Sequence, residues 1–224
     1  MELKLLNYII LIFTQMLSNK KIRISYAILA CVESVELEQL LPFLKKYKRD
    51  EDEIVVLLDN ETYTASVEEV ANKYADKVEF RSLDKDFASQ KNELIKRCSG
   101  DYIFNIDADE LPHTNLMENL HTLLEKNSEV DVFYVPRVNT VAGITNEHIH
   151  EWRWHVNDKG WVNFPDPQMR IMKNIPSIRW ENPVHEILRG HGTFVHLPHE
   201  EQWSIYHHKD IDRQEKQNEF YSRI

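Results

Sequence analysis

The chain has 224 residues, 37 acidic against 27 basic side chains and a formal net charge of −10. That length suffices for one α/β domain with a sizeable core and is short for two. The acidic balance excludes a general nucleic-acid binder, which carries a basic footprint, and two cysteines, Cys31 and Cys98, exclude a disulfide framework.

Residues 1–21 stand apart. Leu5 to Leu17 is largely apolar, with Lys4 before it and Lys20-Lys21 after it. At 13 residues it falls short of the ~20 that a membrane span needs, and no small-residue cleavage site follows. An extra helix packed on the domain, a shallow membrane anchor and a disordered leader are the open readings. A helix that packs or touches a membrane surface is favoured.

Ile22 to Ala30 then reads as a first buried strand, holding Cys31 at its end. Leu37, Leu40, Leu41 and Leu44 repeat at helical spacing within Glu36 to Tyr47. Glu53 to Leu58 is a second apolar strand, Ser66 to Ala75 a helix, Val78 to Ser82 a strand, and Phe87 to Cys98 a helix. Tyr102 to Ile106 is a fourth strand and Leu116 to Lys126 a helix. Val130 to Val138 reads as one strand, made peripheral by Pro136. Both cysteines fall in packing positions and read as reduced thiols, as in a cytoplasmic protein, with possible attachment to the inner face of a membrane through the leader. Strand and helix alternate through the first half, which predicts parallel strands with crossover helices. The second half is rich in Trp, His, Pro and Asn. It predicts a strand at Gln202 to Tyr206 and no long helix before Asp210 to Tyr221.

The run Ser99 to Glu110 carries most of the chemistry. Gly100-Asp101 turns the chain, Tyr102 to Ile106 buries itself, and Asp107, Asp109 and Glu110 then place three carboxylates within four residues. On an extended backbone residues two apart share a face, so Asp107 and Asp109 are expected at one spot. Two converging carboxylates call for a cation.

Asp107-Ala108-Asp109 is similar to the DxD signature of nucleotide-sugar glycosyltransferases of the GT-A fold. Asp86-Phe87-Ala88-Ser89-Gln90-Lys91-Asn92 precedes it, and Pro165-Asp166-Pro167-Gln168-Met169-Arg170-Ile171 and Val184-His185-Glu186 follow. This succession resembles family 2 glycosyltransferases, especially the branch acting on bacterial lipopolysaccharide cores and other surface glycans. The resemblance runs from about Ile22 to the C-terminus. It implies an α/β fold of the GT-A type: a Rossmann-like, mostly parallel sheet flanked by helices, with an irregular acceptor-side second half. Residues 22–224 would form one domain, with 22–112 binding the nucleotide sugar and 113–224 supplying acceptor contacts and catalysis.

The resemblance also implies roles. Asp109 would bind the metal, Mn²⁺ or Mg²⁺, with Asp107 on the ribose or the metal's water shell. A late histidine would complete the coordination. His207 and His208 follow the predicted strand, and since neighbours on a strand point oppositely only one can reach the metal; His207 is favoured. Glu33 and Asp59, at strand tips, would meet the nucleoside. Asp86, Lys91 and Asn92 lie at a helix start, where cations and free N–H groups hold phosphate. The base that takes the acceptor's proton would be Glu186 or Asp166, ranked in that order. His185 would orient Glu186 or meet diphosphate, and Arg170 would bind diphosphate or pair with a carboxylate. Trp152, Trp154, Trp161 and Trp180 suit either sugar stacking or core packing.

The function expected is metal-dependent transfer of a sugar from a nucleotide diphosphate sugar to a glycan or lipid-linked acceptor, with inversion. Nucleic acid is not expected as a partner, and peripheral membrane contact is. Two alternatives use the same residues: a metal-dependent phosphohydrolase or nucleotidyltransferase, and a catalytically inactive glycan-binding module. The second is motivated by departures from the family pattern at Val32 and at Asn60-Glu61.

Overall fold

A computed structural model describes residues 21–221. The apolar stretch 5–17 and the readings attached to it lie outside those residues. No helix among the described residues is long and apolar enough to cross a membrane.

The first half alternates as expected: β1 (Ile24–Ala30), α1 (Ser34–Tyr47), β2 (Glu53–Asp59), α2 (Ala65–Tyr74), β3 (Lys77–Arg81), α3 (Phe87–Arg97) and β4 (Tyr102–Asp107). β5 (Glu110–Pro112), α4 (Thr114–Lys126), β6 (Val132–Val135), β7 (Arg137–Ala142) and the short α5 (Asn146–Glu151) come next. The chain ends with β8 (Gln168–Lys173), β9 (Arg179–Glu181), β10 (Ile187–Arg189), β11 (Phe194–His196), a 3₁₀ turn (Glu201–Trp203), β12 (Ile205–Asp210) and α6 (Ile211–Tyr221).

Seven strands form the main sheet in the order β11-β6-β8-β4-β1-β2-β3. β1 pairs in parallel with β2 and β4, and β2 in parallel with β3. β8 alone runs antiparallel, to β4 on one side and β6 on the other. The period-2 pattern of the strands divides the interior into two layers. Ile24, Tyr26, Ile28, Phe104 and Ile106 face α1, α2 and α4 through Leu41, Val67 and Leu120. Ala27, Val55, Leu57, Ile103 and Met172 face α3 and the β9–β10 ribbon through Leu94, Trp180 and Leu188. Gly100 is required where β4 enters the sheet, because a Cβ there would stand 2.6 Å from the Ser25 backbone nitrogen.

The structure corrects two sequence expectations. Val130 to Val138 is not one peripheral strand. Pro136 ends β6, which lies inside the main sheet, and the chain crosses into a second, three-stranded sheet of order β5-β12-β7. A proline cannot donate to a ladder, but its carbonyl oxygen accepts from Ile205 N at 2.9 Å and so seeds the second sheet. The strand expected at Gln202 to Tyr206 starts three residues later, after the 3₁₀ turn. The second half adds β6, β8 and β11 to the main sheet.

Candidate functional site

The carboxyl ends of β1 and β4 open into a cleft of about 1100 Å³, closed on its far side by the second sheet and α6. Open α/β sheets bind ligands at this edge. Of the residues singled out from sequence, the cleft gathers Glu33, Lys91, Asp107, Asp109, Asp166, Arg170, His185, Glu186 and His207.

Asp59, Asp86 and Asn92 are not in its lining, and each is engaged in local structure. Asp59 accepts from Leu83 N at 3.1 Å and from the Thr62 hydroxyl. Asp86 caps α3, accepting from Ser89 N at 2.8 Å. Asn92 uses both ends of its amide on the Trp180 backbone, donating to the carbonyl oxygen at 2.8 Å and accepting from the N–H at 2.9 Å. Asp86 and Asn92, expected among the substrate-binding residues, are thus engaged in capping α3 and in docking β9 on it.

At the tip of β4 the backbone does not stay extended. Ala108 and Asp109 form a turn and Glu110 begins β5. The three carboxylates consequently find different partners. Asp107 faces Arg170, whose Nη1 lies 3.3 Å from Oδ1 and whose Nη2 contacts Oδ2. The same Nη2 reaches the fully buried Glu110, which also takes Arg137 Nη1 at 3.3 Å. Antiparallel pairing of β8 with β4 brings Arg170 there. Of the two roles open for Arg170, the structure shows the pairing with carboxylates. Burial pushes the Asp107 carboxyl up, but the charge of Arg170 outweighs it and holds the group well below the usual range.

Asp109 points elsewhere. Its Oδ2 lies 3.3 Å from His207 Nε2 and 3.2 Å from Arg213 Nη2 of α6. Burial again raises its pKa, and the hydrogen bond and charge of His207 bring it net below the ordinary value. β12 sits between β5 and β7 with His207 opposite both Glu110 and Asn139. His207 faces inward, and His208 points away to the Thr140 hydroxyl at 2.5 Å. His207 Nδ1 meets Asn139 Oδ1 at 2.8 Å.

Across the cleft, Lys91 Nζ is 3.0 Å from Glu186 Oε1 and 4.5 Å from the centre of the Trp180 ring. Asp166 sits at φ +38° between its two prolines. It accepts from Arg137 Nε at 2.8 Å, Asn139 Nδ2 at 2.7 Å and Gln168 Nε2 at 2.9 Å. Of the four tryptophans, Trp154 and Trp180 line the cleft. Arg137, Asn139, Lys209 and Arg213 also line it; sequence reasoning missed them because their strand and helix partners are remote in the chain.

The donor set at the tip suits a divalent ion. Cis ligands of an octahedral ion bonded at about 2.1–2.2 Å lie about 3 Å apart, and Asp109 Oδ2 and His207 Nε2 are 3.3 Å apart. An oxygen and an imidazole nitrogen together suit Mn²⁺ or a neighbouring transition ion. No group of three or more His, Cys, Asp or Glu side chains among the described residues is arranged to hold a metal. An ion held by this pair would therefore take its remaining ligands from diphosphate and water.

Residues 25–184 match the model of glycosyl transferase family 2. The chain belongs to that family. Among solved structures, S. aureus TarS 1–349 in complex with UDP superposes with a TM-score of 0.59 at 13% identity, covering 83% of this chain and 60% of that one. Its complex with UDP-GlcNAc gives 0.56 at 15% identity, covering 84% and 58%. A mannosyltransferase from Pyrobaculum calidifontis, solved with GDP-Man and Mn²⁺, gives 0.43 at 17% identity over 54% and 37%. The chain thus spans about three-fifths of the TarS 1–349 structures, and the shared fold is GT-A. No curated protein matches the chain.

Proposed function

We propose that this family 2 glycosyltransferase moves one sugar from a nucleotide diphosphate sugar to a glycan or lipid-linked saccharide, with inversion and with the help of a divalent ion. A place in the assembly of surface glycans, as in the branch that the motifs resemble, belongs to the same reading. One observation carries it: Asp109 and His207 meet at the strand tips, in the cleft that also holds Lys91 and Glu186. Asp109 and His207 would hold the ion, which when bound supplies positive charge to the leaving diphosphate.

Glu186 is the better base of the two candidates. Asp166 has its oxygens taken by Arg137, Asn139 and Gln168, which leaves little to accept a substrate proton. Glu186 faces the cleft, with Lys91 Nζ 3.0 Å from its Oε1. In the reaction the acceptor O–H gives its proton to Glu186, the oxygen bonds to the anomeric carbon, and the C–O bond to the nucleoside diphosphate breaks from the opposite side.

The test is a thermal-shift panel of UDP-, GDP- and dTDP-sugars, starting from UDP-GlcNAc, with Mn²⁺ or EDTA. One donor class should stabilise the protein in Mn²⁺ by about 2.7 kcal/mol at a hundredfold excess over Kd. That gain should vanish with EDTA and in Asp109→Ala. Glu186→Gln should keep donor binding and lose about 10²–10⁴ in kcat. Saccharide binding with no nucleotide-sugar binding in any condition would instead favour the inactive glycan-binding module.

A further inference from the structure

His207 offers its two ring nitrogens to two partners, and the partner of one decides what the other can do. Asn139 Nδ2 lies 2.7 Å from Asp166 Oδ2 and 3.5 Å from the Val162 carbonyl oxygen. The carbonyl only accepts, and so does an ionised carboxylate. Burial pushes the Asp166 carboxyl up, but Arg137 and the donors around it bring it below its ordinary value, so it is ionised at neutral pH. The amide of Asn139 is therefore turned with its NH₂ toward Asp166 and its oxygen toward His207.

That oxygen stands 2.8 Å from His207 Nδ1 and can only accept, so Nδ1 carries the hydrogen. A neutral imidazole has one N–H. With the ring neutral, as a metal ligand must be, Nε2 is then a lone pair 3.3 Å from an oxygen of Asp109; a proton on it instead makes the charged hydrogen bond to Asp109. A lone pair beside a carboxylate suits a metal ion, which would share Asp109 Oδ2 with Arg213 at 3.2 Å, and the outer partner of a histidine ligand usually sets its tautomer in this way. Strand register builds the device: parallel pairing of β7 and β12 makes Asn139 the direct neighbour of His207. The Pro165-Asp166-Pro167 loop supplies the anion behind it.

We propose that Asp166 is a positioning residue. Through Asn139 it fixes the Nδ1–H tautomer of His207 and so makes Nε2 a metal ligand beside Asp109. The inference rests on the metal-dependent reading for the identity of the ligand, but the tautomer is measurable without metal.

The experiment is ¹⁵N NMR of histidine-labelled full-length protein, followed upward in pH until the His207 ring is neutral, paired with Mn²⁺ affinity by electron paramagnetic resonance. The wild type should show His207 as the Nδ1–H tautomer, its signal assigned by its loss in His207→Gln. Asp166→Ala and Asn139→Leu should shift it toward Nε2–H and weaken Mn²⁺ binding about 10–100-fold. Asp166→Asn keeps an oxygen toward Asn139. It should retain the tautomer and Mn²⁺ affinity within about threefold of wild type. The Nε2–H tautomer in the wild type overturns the proposal whatever the variants do, as does unchanged Mn²⁺ affinity in both Asp166→Ala and Asn139→Leu. Wild-type protein that shows the Nδ1–H tautomer but binds no Mn²⁺, alone or with a nucleoside diphosphate, overturns the ligand role and the metal-dependent reading together.

Discussion

Arg170 holds two carboxylates that would otherwise repel, Asp107 at the cleft and the buried Glu110. Its side chain is 4% exposed, and that of Glu110 is 0%. Such a buried pair adds little net stability while intact, but removing one member strands the other charge. Arg170→Met preserves the volume and the apolar stem, and leaves Glu110 with the longer contact to Arg137 and the Asp107 N–H at 3.1 Å. It should cost about 3–5 kcal/mol in urea unfolding, and Arg170→Met with Glu110→Gln should recover part of that loss. An unchanged midpoint in the single variant would show that Arg137 and the Asp107 N–H suffice. Three carboxylates in four residues were legible in the sequence, and so was their need for cations. Their sorting was not. Alternation along an extended strand puts Asp107 and Asp109 together, whereas the turn at Ala108-Asp109 gives Asp107 to Arg170 and Asp109 to His207. That choice depends on β8 and β12, more than fifty residues away.

At the scale of elements, the proposed base, Glu186, depends on α3. α3 presents Lys91 to Glu186 and, one residue on, clamps β9 through Asn92. The ribbon of β9 and β10 brackets the segment that carries His185 and Glu186. Gly190, at φ +82°, closes the ribbon where a Cβ would meet the Ser177 carbonyl oxygen at 1.8 Å. Asn92→Ala leaves a backbone donor and acceptor of Trp180 without their partner. It should cost about 1–3 kcal/mol of stability, speed hydrogen exchange at the Trp180 amide, and lower kcat more than it weakens donor binding. Loss of donor affinity with exchange unchanged would return Asn92 to the binding role that its motif implies. The sequence revealed α3 and its neighbours because periodicity and caps are local signals. The ribbon was hidden because its strands are three residues each, too short for a period to register.

For the molecule as a whole, several carboxylates are tied between distant elements, and this sets a stability profile in acid. Glu53 joins β1, β2 and the turn before β4. Burial pushes its carboxyl up, but hydrogen bonds from Lys77, Ser25 and Ser99 overcome this and bring it to about 2. Asp131 joins β6 to the turn before β11, and its bonds from Lys173 and from the Gly192 and Thr193 backbone hold it at about 2. Asp109 and Asp166 are lowered as well. In each case the folded-state pKa lies below the unfolded value of about 4, so the unfolded chain binds more protons between the two. The stabilisation is then fully present above about pH 5 and is lost as pH falls through 4 toward 2. Urea midpoints should drop most steeply in that interval, and Glu53→Gln should flatten part of the slope while lowering the plateau. A decline confined to the range above pH 5 would show that histidines govern the profile. Because Glu53 and Asp131 sit at the sheet end opposite the cleft, activity lost by reversible protonation at the cleft should separate from unfolding in the Glu53→Gln protein.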